Sequence, residues 1–363
     1  MKLGIVGLPN VGKSTLFNAI TKARAEVANY PFCTIDPNVG VVEVPDNRLD
    51  FLERVYKAKK KVPAAVEFVD IAGLVKGAYK GEGLGNQFLA HIRETAAIVH
   101  VVRCFENKDI THVMGDVDPL RDIDIIDTEL ILADMESVSK KLERLPKVVR
   151  LNDKKMLSER EFIIKVKAHL DAGNPARSLE LDSDEKILLK KLFLITAKPV
   201  LYACNTSEND LPTLENKYTQ IVKEKAKNEN AKIVSICAKI EAELAELSDN
   251  DKGTFLKDLG FKEPTLNRLI KAGYTLLDLE TFLTAGEIEV KAWTIKKGSL
   301  APQAAGVIHS DFERGFIRAE VMSFGDLFKL GSEKAVKDAG LLRSEGKEYV
   351  VKDGDIIEFR FNV

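Results

Sequence analysis

A chain that runs from a short apolar stretch straight into Gly7-Leu8-Pro9-Asn10-Val11-Gly12-Lys13-Ser14 has few folds open to it. The segment reads G-x-x-x-x-G-K-S. Leu3, Ile5 and Val6 before it predict a strand, and the pattern from about Thr15 onward predicts a helix. The glycines let successive backbone N–H groups curl around a phosphate, and the helix aims the positive end of its dipole at the same point. Asn10, Val11, Gly12, Lys13, Ser14 and Thr15 are therefore the expected phosphate-binding residues. Lys13 supplies a point charge toward the β- and γ-phosphates, where it is expected to act in catalysis, and the Ser14 hydroxyl suits Mg²⁺. A chance glycine turn would not need the strand and the helix in this order.

The 363 residues have room for two or three domains. A hydrophobic share of 45%, a charged share of 30% and a net charge of −2 describe an ordinary soluble protein, and argue against a wholly basic nucleic-acid binder. No apolar run of about twenty residues predicts a membrane span, and the N-terminus does not read as a signal peptide. The expected location is cytoplasmic. Cys33, Cys104, Cys204 and Cys237 are scattered without C-x-x-C spacing, so reduced thiols are expected and a zinc site is not. Cys33 lies beside a candidate switch residue and is a weak candidate for redox sensing.

Strand-like stretches at Val39–Val44, Ala64–Val69, Ile98–Phe105, Pro199–Cys204 and Lys232–Ala238 alternate with helical ones. One of those is an amphipathic helix expected from Arg48 to Lys61 and another runs from about Asn86 to Ala96. This alternation predicts an α/β fold with a parallel sheet covered on both faces. The connection from Ile98 to Pro199 is too long for a simple crossover. Within it Ile131, Met135, Val138, Leu142, Leu145 and Val149 recur at spacings of four and three, and Phe162, Val166 and Leu170 suggest a returning helix. Lys140, Lys141, Arg144, Lys147, Arg150 and further cations to Lys167 make this rod net basic. That is either a solvated helical face or an RNA contact. Leu256 to Leu279 reads as helical, and the last eighty residues read as short strands around a helix near Pro302–Ile308, which suggests a small β-grasp domain.

Thr34 lies in a proline-rich loop between the first helix and the second strand, where a threonine can complete the Mg²⁺ shell and sense the γ-phosphate. The bland reading is a turn threonine. Asp70 ends an apolar strand and opens D-x-x-G, so its carboxylate can hold the metal and Gly73 can offer its N–H to the γ-phosphate. The next residue, Leu74, stands where many such enzymes have a glutamine that orients water. His112, the backbone of the switch loops, or a K⁺ ion coordinated by Asn10 is a candidate replacement. A glycine-dense segment from Gly73 to Gly85 suggests movement. Asn205-Thr206-Ser207-Glu208 stands where guanine-specific proteins carry N-K-x-D. Glu208 is one methylene too long for the aspartate's paired hydrogen bonds, a contact worth roughly 1–3 kcal/mol in comparable base recognition. This favours ATP, or weak discrimination between ATP and GTP. Cys237-Ala238-Lys239 is placed to support the base.

Together these residues resemble the YchF family of Obg-related P-loop proteins, over essentially the whole chain. GLPNVGKST at 7–15, NYPFCTIDPN at 29–38, DIAGLVKGA at 70–78 and GEGLGNQFL at 81–89 carry the resemblance, and the departure from N-K-x-D is typical of it. The run at 292–321 is similar to TGS domains. The resemblance implies ATP-preferring hydrolysis despite a hydrophobic residue in the glutamine's place. It also implies ribosome association, with the large subunit as the expected side, and a helical insertion facing the TGS domain across a cleft.

The expected architecture is a Ras-like P-loop domain (1–122 and 197–278) with a helical coiled-coil insertion (123–196) and a C-terminal β-grasp TGS domain (279–363). The expected function is that of a slow Mg²⁺-dependent ATPase switching contacts to ribosome and RNA through the insertion and the TGS domain. Two rivals stand beside it. One is a nucleotide-gated RNA- or ribosome-binding protein with incidental hydrolysis, and the other is an ordinary GTPase.

Overall fold

The computed structural model describes residues 1–22, 38–71, 84–107, 109, 115–145 and 154–362. Cys33, Thr34, Gly73, Leu74, His112 and Val149, and most of the glycine-dense segment, lie outside the described residues. The chain forms two units. The first comprises 1–23, 35–40 and 67–273, and the second 24–34, 41–66 and 274–363.

In chain order the elements begin with β1 (Lys2–Val6), α1 (Lys13–Lys22), β2 (Val39–Glu43), α2 (Asn47–Tyr56), β3 (Lys60–Val62) and β4 (Ala65–Asp70). Next come α3 (Leu84–Glu94), β5 (Ala97–Arg103), α4 (Pro119–Arg144), α5 (Lys154–Asp171), α6 (Ser183–Lys190) and β6 (Val200–Asn205). Then follow α7 (Lys217–Asn228), β7 (Lys232–Ile236), α8 (Ala238–Leu244), α9 (Asp249–Asp258) and α10 (Thr265–Leu276).

The first sheet has the order β2-β4-β1-β5-β6-β7. β4, β1, β5, β6 and β7 pair in parallel, with Leu3 opposite both Phe68 and Ala97, and Val102 opposite Cys204. Every residue of β5 and β6 is buried. Such unbroken apolar runs form where helices cover both sheet faces. β1 lies between β4 and β5, so the chain leaves it toward one side and later returns to the other. The cleft outside the carboxyl ends of the strands at such a reversal is where ligands bind in open α/β sheets.

The long connection is helical. Asp118 caps α4 by accepting from the N–H groups of Leu120 and Arg121, and Pro119 occupies the first helical turn, where its missing N–H costs nothing. Ile131 and Val138 from α4 are buried with Phe162, Ile163, Val166 and Leu170 from α5, and Met135, Leu142 and Leu145 pack against them. The apolar spacing read from the sequence is thus the seam between these two helices. Asp134, buried in α4, accepts from the N–H groups of Ile195 (2.9 Å) and Thr196 (2.7 Å) and from the Thr196 hydroxyl (2.7 Å). These bonds fix the chain where it returns to β6.

The second unit completes its sheet with β8 (Leu279–Ala285) and β9 (Glu289–Lys296), then α11 (Ala301–Ile308), α12 (Ser310–Arg314) and β10 (Phe316–Ser323). α13 (Phe324–Leu330), α14 (Glu333–Asp338), β11 (Arg343–Glu345) and β12 (Asp355–Phe361) end the chain. The strand order is β11-β10-β12-β8-β9-β3. Phe282, Ile295, Ala304, Ala305, Ile357 and Phe359 form its core beneath α11.

Two sequence readings are corrected here. The helix expected from Arg48 to Lys61 stops at Tyr56. Lys57 takes a left-handed conformation (φ 51°) and donates to the Glu53 carbonyl. Lys60–Val62 then form a strand parallel to β9, with Val62 opposite Lys291. The helical stretch expected at 256–279 is divided. Gly260 (φ 78°) ends α9, and Thr265 begins α10 with its N–H and hydroxyl on the buried Glu241 carboxylate at 2.7 and 2.6 Å. Leu279 opens β8 instead of closing a helix.

Candidate nucleotide site

Three strand ends and two helix starts converge on one cleft. β1 delivers Leu8 to Thr15, β5 delivers Phe105 to Asn107, β6 delivers Asn205 to Asn209, and the start of α8 delivers Cys237 to Lys239. The cleft holds about 870 Å³, within the range of small-molecule sites.

The P-loop is built by close approach. A Cβ on Gly7 would stand 2.9 Å from the Val101 carbonyl of β5. Gly12 has φ 94°, and a Cβ there would stand 2.2 Å from the side-chain amide nitrogen of Asn205. Asn10 is also left-handed (φ 64°), which asparagine tolerates better than most residues. Val11 is buried beneath the loop, while Ser14 and Thr15 are exposed at the start of α1.

Asn205 is the staple of the site. Its Nδ2 donates to the Val11 carbonyl at 2.9 Å, and its Oδ1 accepts from the Ala238 N–H at 3.0 Å. The residue is 4% exposed. One side chain therefore joins the P-loop, the end of β6 and the start of α8. Thr206, in the place of the lysine in N-K-x-D, is buried and donates through both N–H (2.8 Å) and hydroxyl (3.1 Å) to the Ile236 carbonyl. Ser207 donates to Asp210 and holds the turn on which Glu208 stands. The Glu208 carboxylate accepts from Lys239 Nζ at 2.8 Å. That bond raises the lysine's pKa. Cys237 precedes α8, and burial pushes its thiol up.

Lys13 Nζ lies 2.5 Å from Asp70 Oδ1 at the end of β4. The proposed phosphate lysine and the proposed metal carboxylate thus share one locus, and Ser14 follows that lysine directly in the chain. Hydroxyl and carboxylate oxygens are the donor set a hard cation such as Mg²⁺ takes. The cleft presents the P-loop backbone at the start of α1, the Lys13 ammonium and the Ser14 hydroxyl, with the Asp70 carboxylate against Lys13, so the residues present fit a nucleotide–Mg²⁺ ligand. Among the described residues no group of three or more His, Cys, Asp or Glu side chains forms a metal centre of its own.

The structure thus brings together Asn10, Gly12, Lys13, Ser14, Thr15, Asn205, Thr206, Glu208 and Cys237 in the cleft, with Val11 beneath and Asp70 reached through Lys13. Thr34, Gly73 and His112 fall outside the described residues. The sequence reading missed Phe105, Glu106 and Asn107. Their signal was the C-terminal end of a buried parallel strand, which must open at the same edge as the P-loop. Arg103, 1% exposed, holds this segment by donating to the carbonyls of Phe105 (3.2 Å) and Asn107 (3.3 Å), with its guanidinium 4.7 Å from the Phe105 ring centroid. No described helix is long and apolar enough to cross a membrane.

Comparison with known proteins gives concordant matches. Residues 2–153 match a family model described as 50S ribosome-binding GTPase, and residues 279–362 match the YchF-GTPase C-terminal model, described as a protein of unknown function. A Bacillus subtilis protein named Ribosome-binding ATPase YchF is 57% identical over 361 residues, covering 99% of each chain. Obg-like ATPase 1 of Rattus norvegicus is 49% identical, over 100% of this chain and 92% of its own. A solved structure of the Schizosaccharomyces pombe YchF GTPase superposes with a TM-score of 0.88 at 42% identity, covering 99% of this chain and 97% of that one.

Proposed function

Since the chain belongs to the YchF family of P-loop nucleoside triphosphatases, we propose that it is a Mg²⁺-dependent hydrolase that prefers ATP to GTP and uses nucleotide state to control docking on the ribosome. The relatives' names support hydrolysis and ribosome binding. They divide between ATPase and GTPase, so the base preference rests on this chain's own residues. The observation that carries it is the base loop. Thr206 is turned inward to Ile236, and Glu208 is engaged by Lys239. Neither the lysine nor the short aspartate that reads guanine is available there.

In this reading the P-loop amides and Lys13 bind the phosphates and stabilise the charge that develops on them during transfer. Ser14 and Asp70 would hold Mg²⁺, with Thr34 as a further ligand. When bound there, Mg²⁺ would supply further neutralisation of phosphate charge. Lys13 leaves Asp70 to meet the phosphates as nucleotide enters. Gly73 offers its N–H to the γ-phosphate. Leu74 cannot orient water, so turnover is slow unless His112 or a K⁺ ion held by Asn10 assists. The helical insertion (123–196) and the C-terminal β-grasp domain (279–363) contact ribosomal RNA, the large subunit being the expected side, in the cytoplasm.

Phosphate release measured with ATP and Mg²⁺, in K⁺ or Na⁺, with and without ribosomes, tests this. Slow hydrolysis that ribosomes change supports it. Ribosome binding indifferent to nucleotide, with no change in rate, removes the switch. Higher turnover in K⁺ than in Na⁺ supports the cation, and equal rates remove it.

A further inference from the structure

One residue far from the cleft combines backbone strain with nearly complete exposure. After α6 the chain turns through Lys191 and Leu192 into Phe193, whose N–H donates to the Lys190 carbonyl at 3.4 Å. Phe193 has φ 52°. Just past a helix end this left-handed position is usually taken by glycine, because a Cβ crowds the backbone there. The turn has a clear purpose. Leu188, Leu189, Leu192 and Leu194 all pack into the core of the insertion, and the chain must reverse to put Leu194 there. Packing therefore explains the reversal and not the phenylalanine. Its side chain is 84% exposed, the most exposed large hydrophobic residue among the described residues, so burial returns nothing for the strain.

Three lysines precede it within seven residues of the chain. Lys186, Lys190 and Lys191 are all exposed. Among the described residues none of the three forms an ion pair. Lys186 and Lys190 stand one turn apart on the same face of α6. Lysines near a helix C-terminus also complement its dipole, which accounts for two of these charges and for nothing about the ring beside them. A strained, outward aromatic ring next to free cations is the arrangement that stacks bases and meets phosphates in single-stranded nucleic-acid binding. A peptide side chain would need walls around it, and a ring this exposed has none.

The geometry points to Phe193 as a stacking platform for an unpaired base of single-stranded RNA, with Lys186, Lys190 and Lys191 contacting the flanking phosphates. This rests on the reading that the helical insertion contacts RNA.

The test uses the full-length chain and a fluorescein-labelled 12-nucleotide oligoadenylate, followed by polarisation, with a parallel oligonucleotide carrying 2-aminopurine to report stacking. Phe193→Gly suits the left-handed backbone and preserves folding, which urea unfolding verifies. It is expected to weaken binding about 5- to 150-fold and to abolish the 2-aminopurine quenching. Phe193→Trp is expected to retain both. Replacing the three lysines by glutamine is expected to lower the slope of log affinity against log salt by about 2. If the wild-type chain binds and Phe193→Gly binds equally well with quenching intact, the platform is wrong while the RNA reading survives. If the wild-type chain binds no oligonucleotide, both fall. If Phe193→Gly weakens ribosome binding without touching RNA binding, the ring meets a protein and the platform is overturned.

Discussion

Removal of the Asn205 side chain should loosen the whole site at once. In Asn205→Ala the Val11 carbonyl loses a 2.9 Å bond and the Ala238 N–H a 3.0 Å bond. Both residues are 1% exposed, so each group is left buried without its partner at about 1–3 kcal/mol. Water entering from the adjacent cleft offsets part of this, and a total loss of about 2–4 kcal/mol in unfolding free energy is expected. Nucleotide affinity should fall with it, because Val11 lies within the phosphate loop. Gly12 provides an internal control. A Cβ at Gly12 would meet the Asn205 amide at 2.2 Å and would also be strained by φ 94°. Gly12→Ala in the wild-type background therefore suffers both penalties. In the Asn205→Ala background only the backbone strain, about 1–2 kcal/mol, remains. Urea unfolding of the four proteins, with ATP titration by calorimetry, gives the double-mutant cycle. The pair is expected to be less destabilised than the sum of the singles by at least about 1 kcal/mol. Strict additivity, or an Asn205→Ala protein within 0.5 kcal/mol of wild type with unchanged ATP affinity, would refute the staple.

Three further outcomes are expected. His100 is buried in β5 near Arg177, Lys225 and Glu229, and desolvation lowers its pKa to about 3. The unfolded chain takes up a proton near pH 6.5 and the folded chain does not, so stability should fall on acidification, by about 2 kcal/mol from this residue between pH 7 and 5; His100→Phe should flatten that part of a urea-unfolding pH profile. Phe162→Ala in the insertion core, where the residue is 4% exposed, should cost about 3–5 kcal/mol by chemical denaturation, and a loss below 1 kcal/mol would mean the helical pair is loosely packed. Thr206→Lys combined with Glu208→Asp should raise GTP affinity in calorimetric titration, and no gain would mean the segment does not face the base.

The legible parts of the molecule were those fixed by local pattern. The phosphate loop, the strands of the first sheet and the seam of Ile131, Val138, Phe162 and Val166 follow from period and spacing, which neighbours in sequence determine. What escaped depends on partners far along the chain. Lys60-Lys61-Val62 has only one apolar residue and becomes a strand because β9, some 230 residues later, offers an edge. Phe105 to Asn107 enter the cleft because β5 runs parallel to β1, a relation that no local pattern carries. Asn205 was legible as a site residue through its resemblance to N-K-x-D. Its bonds to Val11 and Ala238 follow only from the convergence of three strand ends.

The base preference is the claim on which the proposed function most depends, and competition calorimetry tests it directly. The full-length chain is titrated with ATP and with GTP in Mg²⁺, each alone and each in the presence of the other. ATP is expected to bind more tightly than GTP, because Thr206 is turned inward and Glu208 is held by Lys239. A hundredfold preference for GTP would contradict it.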